Sequence, residues 1–187
     1  MKEILQPVIS KDNAGAIFQN LTQKKLLKII PAPGMKALQL ELMYLPFYIF
    51  EVTTEDRGEA RNALFSADGI QGAVVPFSPV IEVYAESTGI RIRDFVLSKE
   101  RAEDRIGAHM KGLVLEQSMK LRRTISVKRI EYKQKLQFPF WIVYFQKKEK
   151  YDFKAIDAIS GEFTPLTMRQ VFLNIFRQEQ QFTITEE

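Results

Sequence analysis

Few residues in this chain are able to do chemistry, and their types narrow the field before any element is placed. There is one histidine, His109, and no cysteine. That excludes disulfides, thiol nucleophiles, thiolate zinc sites and any scheme needing two imidazoles. His109 lies beside Ile106 and Met110 on an apolar helical stripe and reads as a packed or partly buried structural residue. No serine opens a Ser-x-x-Lys motif or occupies a Gly-x-Ser-x-Gly elbow. No Gly-Lys pair or Gly-x-Gly-x-x-Gly run is available to cradle a nucleotide. Gly69-Ile70-Gln71-Gly72 has the spacing of a phosphate-clamping loop, but its place in a repeated turn is the plainer reading. Asp68 and Asp157 recur in matched surroundings, and two carboxylates held close would support acid–base hydrolysis. In the simpler reading each Asp accepts backbone N–H groups in a turn that Gly72 or Gly161 closes with a positive φ. On this reading no catalytic residue, metal ligand or cofactor is assigned.

Two other sets of residues suit binding. Phe47 and Tyr48 follow Pro46, and Phe140 and Trp141 follow Pro139. These aromatics are either sheet core or, exposed beside a free edge, the pockets that select an extended peptide added as a strand. Basic residues are denser over 120–150 and include Arg122, Arg123, Lys128, Arg129, Lys133 and Lys135. With Tyr132 and Trp141 nearby, they could combine phosphate contacts with base stacking. Glu131 and Glu149 interrupt them, as on a solvated face or an edge protected by lysine. Over 187 residues, 27 Lys+Arg against 23 Asp+Glu leave only +4.

The elements that must position these residues come in a repeated order, offset by about 90 residues. Ser10-Lys11-Asp12-Asn13-Ala14 matches Ser98-Lys99-Glu100-Arg101-Ala102, and Pro46-Phe47-Tyr48-Ile49 matches Pro139-Phe140-Trp141-Ile142. Asp68-Gly69-Ile70-Gln71-Gly72 matches Asp157-Ala158-Ile159-Ser160-Gly161. Ser10 and Ser98 are placed as N-caps, with an acidic residue in each first turn. The spacing predicts helices over 11–30 and 99–120, with Ala14, Ile17, Phe18 and Leu21 forming one stripe and Ala102, Ile106, Met110 and Leu113 the other. Alternation from Leu38 to Tyr44 marks a strand running into the first Pro-aromatic segment. In the second copy the phase slips at Lys128-Arg129, which predicts a β-bulge. Each proline marks a strand start, an edge or a bulge. Returning strands are expected at Ala63–Ala67 and Tyr151–Ala158, and a further strand at Gly72–Phe77. Val80–Tyr84 and Ile90–Phe95 suggest a hairpin. A closing helix is expected over 165–178, with a fraying tail.

A capped helix with Ala at its fourth residue, then antiparallel strands ending in Asp157-Ala158-Ile159-Ser160-Gly161-Glu162, resembles the PepSY domain family. The resemblance is clearest over Tyr151 to Glu162 and weaker at Asp68 to Gly72. It implies a cystatin-like α+β unit serving as a regulatory or inhibitory module that binds proteins. The expected fold is therefore α+β: two tandem repeats of a helix followed by antiparallel strands, with a closing C-terminal helix. The repeats divide as 1–78 and 98–187, joined by connecting strands over 79–97. The expected function is non-enzymatic binding of a protein or peptide partner through a sheet edge or the groove between repeats. A nucleic acid held by the basic stretch is the second candidate partner, and hydrolysis by the paired aspartates the third reading. The longest apolar runs, Leu42–Phe50 and Phe138–Phe145, fall short of the ~18 residues of a membrane span. The opening residues lack a secretory pattern, and a cytoplasmic location is expected.

Overall fold

The computed structural model describes residues 4–24, 37–78, 91–147 and 150–184. The fold is α+β. In chain order the elements are α1 (Lys11–Lys24), β1 (Ala37–Asp56), β2 (Glu59–Asp68), β3 (Val74–Pro76), β4 (Arg91–Ile92), α2 (Lys99–Leu121), β5 (Ile125–Lys147), β6 (Lys150–Asp157) and α3 (Leu166–Ile184). The sheet order is β3-β2-β1-β5-β6, and the two-residue β4 pairs in parallel with Met43–Tyr44 of β1. The pairs β1–β2, β2–β3 and β5–β6 are antiparallel.

Local chemistry sets the ends of these elements. Ser10 Oγ accepts the Asn13 N–H and Ser98 Oγ the Arg101 N–H, both at 3.3 Å, so each hydroxyl satisfies a first-turn donor that the helix itself leaves unpaired. Helix α2 stops at Arg122, which is left-handed (φ 50) and returns its N–H to the Met119 carbonyl. Between β1 and β2, Arg57 (φ 55) and Gly58 (φ 84) make a two-residue turn with both φ values positive, the kind that matches the twist of paired strands.

Several boundaries differ from expectation. Pro46 and Pro139 do not start strands but lie inside β1 and β5, which run for 20 and 23 residues. The β1–β2 ladder begins at Phe47 and the β5–β6 ladder at Phe140, each directly after its proline. The Pro46 carbonyl accepts the Gly69 N–H (2.7 Å) and that of Pro139 the Ala158 N–H (3.1 Å). Each imide nitrogen thus faces the side where the ladder has ended and no donor is missed. Strand β2 starts four residues earlier than the apolar pattern suggested, because Glu59–Ala63 pair with β1 while exposed. The further strand shortens to Val74–Pro76, and α3 continues to Ile184 where a frayed tail was expected. Residues 25–30 of the first helix, and Val80–Tyr84 and Ile90 of the suggested hairpin, lie outside the described residues; of Ile90–Phe95, Arg91–Ile92 form a strand. Val127, Ile130 and Tyr132 of β5 all pack against one core cluster. Val127 and Ile130 stand three residues apart in a strand that runs unbroken from Ile125 to Lys147.

The chain forms two compact units whose boundaries differ from a division at 78 and 97. The first comprises Met1–Ile4, Leu45–Tyr84 and Arg93–Phe138; the second Leu5–Tyr44, Ala85–Ile92 and Pro139–Glu187. In the first unit, Ala102, Ile106 and Met110 of α2 pack against Tyr48, Phe50 and Val52 of β1 and Phe65 and Ala67 of β2. In the second, Ala14 and Phe18 of α1 pack against Trp141, Val143 and Phe145 of β5 and Ile156 and Ala158 at the end of β6. Its opposite sheet face meets α3: Phe172 contacts Phe140 and Phe153, and Phe176 contacts Tyr144 and Phe153, with ring centroids 5.0–6.3 Å apart. Helices on both faces explain why Phe138–Phe145 reads as a continuous apolar run rather than an alternating one. Each unit thus takes its sheet-packing N-capped helix from the other half of the sequence than its hairpin.

Candidate interaction site

The four aromatics that follow the prolines are buried inside their units. Phe47 and Tyr48 of the first are 3% and 7% exposed, and Phe140 and Trp141 of the second 5% and 8%. Each pair carries one residue with a polar tip. The Tyr48 hydroxyl donates to the Leu97 carbonyl (2.9 Å) and Trp141 Nε1 to the Ile9 carbonyl (2.7 Å). Leu97 and Ile9 are the residues just before the N-caps Ser98 and Ser10, so the aromatic tips latch the entrances of α2 and α1. Burial pushes the Tyr48 phenol above its ordinary pKa, keeping it a neutral donor.

Asp68 and Asp157 hold their own turns. Asp68 is fully buried; Oδ1 accepts the Ile70 and Gln71 N–H groups (3.0 and 2.9 Å) and Oδ2 that of Ala73. Asp157 Oδ1 accepts the Ile159 and Ser160 N–H groups at 2.7 and 3.1 Å. Gly72 (φ 78) and Gly161 (φ 76) supply the left-handed residue, each returning its N–H to the Asp carbonyl. Burial raises both carboxyls above the ordinary range, against the downward pull of the backbone donors.

Four of the six candidate basic residues are paired with carboxylates nearby. Arg123 pairs with Asp56 (2.8 Å), Lys128 with Glu55 (2.9 Å), Arg129 with Glu131 (2.6 Å), and Lys133 with both Glu51 (2.9 Å) and Glu131 (3.2 Å). Lys135 stands 5.8 Å from the centroid of the Phe95 ring, and Arg122 is the α2 C-cap. His109 is exposed, with its ring 6.1 Å from that of Phe65.

A further site, which sequence reasoning passed over, lies within the second unit on the outer edge of β6. The segment after the Asp157 turn comes back along that edge, bridging Phe163 to Ile156, with the Thr164 N–H donating to the Ala155 carbonyl (3.0 Å). Toward Tyr151 no further strand covers the edge among the described residues. Since both backbone groups of a strand residue point to one side, the Ala155 N–H and Phe153 carbonyl also face outward. Asp152 Oδ1 accepts the Phe153 N–H (2.8 Å) and pairs with Arg169 of α3 (2.5 Å). Asp152, Phe153, Lys154, Ala155, Phe163, Thr164 and Arg169 line a cavity of about 120 Å³. Ligand pockets run to roughly 300–1,000 Å³, so this one is sized for a single side chain. Lys154 lies 4.8 Å from the Phe163 ring centroid and Arg169 5.1 Å from that of Phe153. The sequence signal was Lys154 and Asp152 alternating with Phe153 and Ala155, a charged outer strand; Arg169 could not be joined to it without the fold.

Among the described residues no group of three or more His, Cys, Asp or Glu is placed to hold a metal ion, and no helix is long and apolar enough to cross a membrane. No protein-family model, characterised protein or solved structure matches the chain.

Proposed function

We propose that the protein is a non-enzymatic interaction module that takes an extended segment of a partner protein along the outer edge of β6, seating one apolar side chain in the adjoining cavity. The carrying observation is the combination of outward backbone groups at Phe153 and Ala155 with a one-side-chain cavity beside them. Main-chain pairing supplies affinity and the cavity selectivity, as in strand addition generally. This differs from an aromatic-lined surface: within each unit an aromatic that follows the proline fixes the entrance of that unit's helix.

The reading includes a duplicated ancestry of the PepSY-like kind. Support comes from bonds that recur in both halves: the Ser caps, the latches at Leu97 and Ile9, the Asp Oδ1 bonds to the N–H groups two and three residues on, and the carbonyls of Pro46 and Pro139.

Selection from a random-peptide library, followed by an amide-shift titration with the best binder, tests the binding site. Shifts centred on Tyr151–Ala155 and Thr164, with affinity reduced about tenfold or more by Arg169→Glu, are expected. Shifts confined to 122–135, with binding to nucleic acid that falls steeply with salt, would replace this reading with the nucleic-acid one.

A further inference from the structure

Over Ala108–Met119 the side of α2 diametrically away from its core carries apolar residues. Nine residues are two and a half helical turns, so Leu115 stands diametrically opposite the buried Ile106, and Met119 opposite the buried Met110. Leu115 is 63% and Met119 72% exposed. Exposed Ala108 and Gly112 continue the stripe toward the N-terminus, and a Cβ at Gly112 would meet nothing within 4 Å. The solvent face of a surface helix is ordinarily polar. Written as a heptad, Ala108 and Leu115 take position d, and Gly112 and Met119 position a. Lys111 then falls at g and Glu116 at e, on opposite flanks of the stripe.

Those flanking charges indicate the occupant. When two helices pair in parallel, a g residue of one faces the e residue five positions on in the other. Lys111 of one copy therefore meets Glu116 of a second copy, and symmetry repeats the contact. Asp104 and His109 occupy the same g and e positions one heptad earlier. Lys111 and Glu116 are both exposed, and neither has an ion-pair partner among the described residues. At the next a and d positions, Arg105 and Arg122 would meet their own copies across the axis, which limits the contact to the Ala108–Met119 segment.

We propose that the outward face of α2 pairs in parallel with α2 of a second copy of this chain, about a two-fold axis running along Ala108–Met119. The contact is short, well below the roughly 1,000 Å² of a standing interface, so the dimer is weak and forms with rising concentration. It does not depend on the β6 site.

Sedimentation velocity of the full chain over a concentration series tests it. The wild type shifts from monomer toward dimer, and Leu115→Glu stays monomeric. Lys111→Glu and Glu116→Lys each weaken association, roughly tenfold. An equimolar mixture of the two associates, because each chain then meets its complement. Since the chain has no cysteine, Leu115→Cys provides a unique thiol that faces its own copy only in the parallel arrangement, and mild oxidation gives a covalent dimer. These substitutions lie on the exposed face, and circular dichroism is the check that each variant is folded. A monomer at every concentration overturns the proposal, as does a dimer indifferent to the charge reversals or one that Leu115→Cys fails to cross-link.

Discussion

Asp68 shows how a single residue can oppose two effects within one turn. Its carboxylate satisfies three backbone donors, yet burial raises its pKa in the fold above that of the unfolded chain. A raised folded-state pKa means the native state binds the proton more tightly. The resulting stability is fully present below the unfolded carboxyl's pKa and is lost as pH rises through the folded one. Asp68→Asn keeps the shape but turns an amide NH₂ toward one of the N–H groups, costing about 1–3 kcal/mol. Urea unfolding as a function of pH is expected to show that penalty largest in acid and shrinking toward neutrality. A penalty that grows with pH would show the backbone donors outweighing desolvation. The turn itself was legible from Asp-x-x-x-Gly, because side chain, carbonyl and left-handed glycine all lie within five residues. The burial that sets its pKa was not.

At the scale of elements, the latch decides how each helix enters its unit. Tyr48 and Trp141 looked like candidate pockets because aromatics near a proline serve core and surface equally well; their polar tips were the discriminating feature. Tyr48→Phe removes the hydroxyl that bonds the Leu97 carbonyl and leaves the ring in place. Chemical denaturation is expected to register a loss of about 0.5–1.5 kcal/mol, with faster amide exchange at Val96 and Leu97, whose N–H groups donate to the Gly69 carbonyl. An unchanged midpoint would mean water replaces the bond at no cost. The β6 edge and its cavity had only half a signature in the sequence. An alternating charged strand is visible locally, whereas the arrival of Arg169 and Thr164 beside it depends on packing across α3.

For the whole molecule the consequence is which helix stabilises which hairpin. Ile106→Ala in α2 should cost about 2–5 kcal/mol through the cavity it leaves and, in hydrogen exchange, loosen β2 around Phe65 and Ala67 while sparing β6. A Phe18→Ala substitution in α1 should loosen β6 around Ile156 and spare β2. The reverse pattern would mean that each helix serves the hairpin following it in sequence. Caps, turns, strand periodicity and the apolar stripes were all readable from the residues, since each is a relation among neighbours a few positions apart. The choice of partner was not. The stripe Ala14–Phe18 and the stripe Ala102–Ile106 are alike, and either suits the apolar face of either hairpin. Local sequence therefore specified what each surface must bury, and the tertiary structure decided against what, because burial rewards apolar contact without regard to which part of the chain supplies it.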